Sequence, residues 1–198
     1  MQPGLKKNLL GTLSFVGLIW LVYLVNTLVM LPGTWFGTGW DLTKFGLMPR
    51  TASGLIGIVT MPFLHSGFQH LLANTIPLAV LLFMLTTTRP NPRRIVICLI
   101  VISGIMLWSF GRSQVHVGCS GLVYALAAYL IAAGFYERQF KSAAAAILVA
   151  VLYGSFFWGL FPTAGAHVSW EGHLFAALTG ALFAHLTLRK RAAAPATT

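Results

Sequence analysis

The chain has 198 residues, 57% of them hydrophobic and 8% charged, with a mean hydropathy of +0.81. That balance excludes a soluble globular domain and describes an integral membrane protein of one domain, residues 1–198. The formal net charge of +10 does not indicate nucleic acid as a partner, because the basic residues stand in small groups between apolar runs, which is a topology signal.

In chain order, Lys6 and Lys7 precede an apolar run over 9–31 that Pro32 and Gly33 stop. The run is longer than a signal-peptide core and lacks a small-x-small cleavage site, so it reads as a retained first span. The connection over 32–66 is too long for a plain turn and carries Trp35, Phe36, Trp40, Phe45 and Phe63. Its apolar stretch "GLIGIVTMPFL" would cover only ~16 Å as a helix. We place this loop in the membrane interface, where aromatic-rich, mildly amphipathic segments collect. Five more runs, 67–88, 93–112, 118–136, 143–161 and 168–188, are long enough to cross ~30 Å of hydrocarbon. The tail over 192–198 reads as disordered. The expected fold is an all-α bundle of six transmembrane helices with a long interfacial first loop.

The connections sort by charge. Lys6, Lys7, Arg89, Arg93, Arg94, Arg138, Lys141, Arg189, Lys190 and Arg191 fall on one side; Lys44, Arg50 and Arg112 fall on the other. Ten against three places both termini in the cytoplasm. Cys98 and Cys119 then lie near opposite faces and form no disulfide.

With that direction, the second, fourth and sixth spans all begin on the outer face. They start "HSGFQHLLAN", "GCSG" and "VSWEGHLFAALTG". His70 and Asn74, Ser120, and His173 therefore share one depth, and polar groups at that depth are a functional hypothesis by default. Taken singly, each has an ordinary structural use. Ser120 packs helices, the His70/Asn74 pair caps a helix or bonds between helices, and His173 is a satisfied buried histidine. Together they are a nucleophile, a base and a pair of oxyanion donors, the set that acyl transfer requires.

No carboxylate is well placed to orient the base. Asp41 lies in the first loop, and Glu137 lies ~25 Å from Ser120 along the helix. Glu171 points ~200° around the helix from His173. A hydrolase built on these residues runs on a Ser-His dyad. Tyr124, one turn below Ser120, either stacks on His173 or packs between helices. Cys119 is the other conceivable nucleophile, but adjacent helical residues point ~100° apart, so only one of the pair faces His173. His65, His70, His116, His167 and His173 fall on the outer side without a strong zinc-ligand spacing, so no metal is expected.

"HLLAN" (70–74), "HVGCSGLVY" (116–124) and "WEGHLFAALTG" (170–180) together resemble the rhomboid intramembrane serine proteases, as do "FGLMPR" (45–50) and "PFLH" (62–65). The resemblance covers about 45–185. It implies that Ser120 is the nucleophile and His173 the general base. The backbone N–H of Ser120 with His70 and Asn74 would form the oxyanion hole, and Gly118 would allow close approach to the tetrahedral intermediate. Cys119 stands where the family has a small apolar residue. Ala176 and Gly180 form a small-xxx-small face that would bring the sixth span onto the fourth. The implied activity is endopeptidase cleavage of transmembrane segments of other proteins near the outer surface, without a cofactor. The helix carrying "GSFFWGLFP" is either a movable gate or simply lipid-facing. The rival function is a non-catalytic rhomboid-like protein that binds membrane helices; such proteins usually lack the Ser or the His, and both are present here.

Overall fold

Lipid offers the backbone no hydrogen-bond partners, so a chain this apolar satisfies its N–H and C=O groups within helices. The computed structural model describes residues 3–31, 40–137, 139–165 and 168–192. The readings of Pro32, Gly33, Trp35, Phe36, Arg138, His167 and the tail beyond residue 192 lie outside the described residues. The α-helices are α1 (Pro3–Met30), the short α2 (Gly57–Thr60), α3 (Phe68–Thr88), α4 (Pro92–Phe110), α5 (Ser120–Glu137), α6 (Phe140–Tyr153) and α7 (Trp170–Ala192). A 3₁₀ segment, Gly154–Leu160, continues α6. Among the described residues there is no strand, and one antiparallel bridge joins Leu47 to His116.

Five of these helices, α1, α3, α4, α5 and α6 with its 3₁₀ continuation, are both long and apolar enough to cross a membrane. Helix α7 has the length, ~35 Å for its 23 residues. Its sequence is more polar, because it carries Glu171, His173, Thr179, His185 and a basic end. The cost of those groups is met inside the bundle, where Glu171, His173 and Thr179 are all buried. This is an integral membrane protein with a rhomboid-like helical bundle.

The core follows the seams of α3, α4, α5 and α7, around Leu71, Leu78, Leu85, Leu99, Leu126 and Leu130. Helix α1 lies on the flank of α3, where Trp20 Nε1 donates to Thr75 Oγ1 at 3.1 Å. The described part of the first loop, from residue 40, is a chain of short turns clamped to the end of α4. Arg50 N donates to Trp108 O at 3.0 Å, and Trp108 Nε1 donates to Thr51 O at 2.9 Å. Arg50 has a left-handed backbone (φ 56°), and its guanidinium donates to Gly111 O at 2.7 Å. Leu47, Met61 and Leu107 form a small second core beneath this loop. Leu55, Ile56 and Val59 stay exposed on its far face.

Candidate active site

Helices α5 and α7 touch almost backbone to backbone. A Cβ added to Gly180 would stand 2.1 Å from the carbonyl oxygen of Ala125, and Ala176 and Ala125 are fully buried. Only small residues permit that approach. The close seam brings the first turn of α7 beside the first residue of α5. His173 Nε2 lies 2.9 Å from Ser120 Oγ.

The other nitrogen and one face of the His173 ring are also engaged. Nδ1 lies 3.0 Å from the carbonyl oxygen of Gly159. A carbonyl only accepts, so Nδ1 carries the proton and Nε2 presents its lone pair to the Ser120 hydroxyl. Tyr124 stacks on the ring at 4.1 Å between centroids and 10° between planes. The Tyr124 hydroxyl in turn donates to Phe156 O at 2.8 Å. Both carbonyls come from the 3₁₀ segment Gly154–Leu160. A Cβ at Gly159 would stand 2.0 Å from the Tyr124 hydroxyl oxygen, so glycine is what lets this strap lie against the ring pair.

On the other side of Ser120, the chain turns through Gly118 with φ +111°, a conformation that L side chains rarely adopt. A Cβ there would also stand 2.7 Å from His70 Nε2, so the imidazole lies directly against the Gly118 backbone. His70 Nδ1 contacts Ser66 Oγ at 3.1 Å. Asn74, one turn along α3 and 8% exposed, donates one amide hydrogen to His70 O at 3.0 Å. Its second amide hydrogen is left for another acceptor. Ser120 opens α5, so its own N–H has no intrahelical acceptor, and the positive end of the helix dipole falls at this point.

The three acids are engaged elsewhere. Asp41 accepts from Thr43 N and the Thr43 hydroxyl. Glu137 pairs with Arg89, and Glu171 accepts both Nε and Nη2 of Arg112. That last pair clamps the 111–118 loop onto α7. His116 reinforces it by accepting from Ser169 Oγ at 2.6 Å and donating to Arg112 O at 3.1 Å. Burial holds His116 below its ordinary pKa.

Cys119 is 1% exposed, with its Sγ 3.5 Å from His65 Nε2. Burial, and then the neighbouring His70, push His65 down to about 4, so this imidazole is neutral. Cys119 therefore faces away from His173 into a closed contact, next to a histidine that its sequence neighbourhood does not announce. Among the described residues, no three His, Cys, Asp or Glu side chains gather as a metal site.

Sequence reasoning misses Gly159, Phe156 and Ser66. The first two act through backbone carbonyls, which no residue type encodes; the signal available is a glycine inside the aromatic run "GSFFWGLFP".

Comparison with known proteins identifies the family. The family model for the Rhomboid domain matches residues 52–190. Uncharacterized proteins of Mycobacterium bovis and Mycobacterium tuberculosis are each 32% identical over 183 residues, covering 88% of this chain and 72% of theirs. An uncharacterized protein of Mycobacterium leprae is 32% identical over 184 residues, 88% of this chain and 69% of its own. No solved structure matches the chain. With the domain model running from the first loop to the end of α7, the chain belongs to the rhomboid family.

Proposed function

We propose that the protein is an intramembrane serine endopeptidase that uses Ser120 and His173 as a catalytic dyad. The observation that carries this reading is the 2.9 Å contact from His173 Nε2 to Ser120 Oγ, with Nδ1 committed to the Gly159 carbonyl. Ser120 Oγ attacks the scissile carbonyl while Nε2 takes its proton; Nε2 then returns that proton to the leaving amine. The Gly159 carbonyl does for the tautomer what a carboxylate does in a triad. The stacked Tyr124 face stabilises the imidazolium that forms.

The tetrahedral oxyanion is stabilised by the free N–H of Ser120 at the positive end of α5, by Asn74 and by His70. For His70 to donate from Nε2, its Nδ1 must accept, and the Ser66 hydroxyl is positioned to donate to it. Gly118 admits the imidazole to that position.

The substrate is a transmembrane segment of another protein, locally unwound near its outer end so that a carbonyl is free. Both termini face the cytoplasm of a cell membrane, and the exposed Leu55, Ile56 and Val59 seat the first loop in the outer interface. The decisive experiment is labelling of the purified protein with a fluorophosphonate. Labelling that disappears in Ser120→Ala is expected. Absence of both labelling and cleavage in a folded protein would favour a non-catalytic helix-binding role.

A further inference from the structure

The end of the bundle remote from Ser120, ~25 Å away along α5, holds a charged group that the chemistry above does not use. Arg89 caps α3 and is 6% exposed. Its Nη1 pairs with Glu137 at the end of α5, and Glu137 also accepts from the Ser142 hydroxyl. The face of the guanidinium lies 5.6 Å from the Tyr129 ring centroid. Nε and Nη2 are nevertheless buried and, among the described residues, have no hydrogen-bond partner. These two N–H groups form one edge of the guanidinium, the edge that grips planar oxyanions with two parallel bonds.

The same edge at the opposite end of the molecule shows its use. Arg112 directs Nε and Nη2 to the two carboxylate oxygens of Glu171. At Arg89, no acceptor among the described residues takes that place. Arg89 instead lines a cavity of about 380 Å³ between the ends of α4, α5 and α7. Arg94 and Asn91 also line it, and Cys98, Phe183 and Leu186 make its apolar wall. Leu186 is 54% exposed, so the cavity adjoins the outer flank of the bundle. Arg89 and Arg94 against Glu137 leave it with one net positive charge.

We propose that this cavity is a binding site for the phosphate of an anionic phospholipid. On binding, the guanidinium of Arg89 turns its Nε–Nη2 edge into the cavity to take two phosphate oxygens, Arg94 supplies the second cation, and an acyl chain runs along Phe183 and Leu186. A soluble phosphate would leave the apolar wall unused. A headgroup carrying its own amine would set a cation beside Arg94. Basic crevices between helix ends, open to the bilayer, suit anionic headgroups for these reasons. The site is independent of proteolysis, and its failure or success leaves the Ser120 reading untouched.

The test is thermal unfolding and native mass spectrometry of the full chain in detergent, titrated in separate arms with phosphatidylglycerol, phosphatidylcholine and inorganic phosphate. A ligand that binds the folded state raises Tm. Phosphatidylglycerol should remain bound and raise Tm, and the other two should not. Arg89→Lys keeps a cation for Glu137 but has no fork. It should weaken phosphatidylglycerol binding by about ten-fold or more, the worth of one charge-assisted hydrogen bond. Arg94→Gln, at an exposed position, should weaken binding without changing the unliganded Tm. Should Arg89→Lys fail to fold, Arg94→Gln decides. The proposal is overturned by equal binding of phosphatidylcholine or by inorganic phosphate giving the same shift. Phosphatidylglycerol binding unchanged in the variants would also overturn it, since Arg89 would then serve only to hold Glu137.

Discussion

Two regions packed in opposite ways hold Ser120 and His173. The seam between α5 and α7 is closed to the backbone: Ala125, Ala176 and Ala184 are fully buried, and Gly180 meets a carbonyl. The strap that follows α6 is open, with Phe157 54% and Trp158 70% exposed. The seam sets the distance from His173 to Ser120. The strap, through the carbonyls of Gly159 and Phe156, sets which nitrogen of His173 carries the proton and how the stacked Tyr124 sits. Distance is thus assigned to a stiff element and tautomer to a lightly anchored one. Regions with few buried contacts open at lower free energy. Displacing the strap would alter the tautomer of His173 without moving the ring away from Ser120.

The largest expected effect tests the seam's product, the proposed dyad of Ser120 and His173. Ser120→Ala and His173→Ala should each reduce cleavage of a transmembrane substrate to background, and the double variant should be no worse than either single, because groups acting as one unit are non-additive. Additive losses, measured by single-turnover cleavage, would break the assignment of both residues to one step.

The next effect separates seam from strap by making the same substitution in each. Gly180→Ala drives a Cβ to 2.1 Å from a backbone carbonyl and should cost about 1–3 kcal/mol, with activity falling alongside Tm. Gly154→Ala, where a Cβ meets nothing within 4 Å and the backbone is helical, should leave Tm equal or slightly higher. Equal effects at the two positions would remove the contrast between the regions.

The proposed oxyanion donors, His70 and Asn74, belong to neither region and should give an intermediate loss. His70→Ala and Asn74→Ala are each expected to lower turnover by roughly 100–1000-fold with substrate binding retained, as for loss of an oxyanion-hole donor. A fall in Tm with full activity per folded molecule would make them helix ties instead.

Smaller still, Tyr124→Phe keeps the ring on His173 but gives up the hydrogen bond to Phe156 O, one neutral bond worth about 1 kcal/mol. Tyr124→Ala loses both and should be clearly worse in kcat. Parity between the two would mean that the strap bond, not the stack, holds the base. Smallest of all, Cys119→Ala should retain activity, since its thiol is buried against His65 and away from the dyad. A dead Cys119→Ala with an active Ser120→Ala would reverse the choice of nucleophile.

Much of the architecture was legible in the sequence, because hydrophobic length translates directly into helices where lipid forbids an unsatisfied backbone. The α7 segment is the instructive case. Its composition alone falls short of the other spans, yet it is a 23-residue helix, since Glu171, His173 and Thr179 are buried within the bundle. The candidate site was legible as residue types at one depth. Helix direction follows from counting spans, and that count aligns the starts of α3, α5 and α7.

By itself, then, the sequence determined the class of protein, the polar level shared by His70, Asn74, Ser120 and His173, and the small residues that allow close packing. The tertiary structure alone decided what completes them. It supplied the Gly159 carbonyl on His173, 14 residues away in sequence, and the Ser66 hydroxyl on His70. It also paired Arg112 with Glu171 across 59 positions and Arg89 with Glu137 across 48. Apolar periodicity and helix length are local properties that each segment carries within itself. A backbone carbonyl is present at every residue, and a charged side chain has many possible partners, so which one is used is fixed only when distant helices are packed.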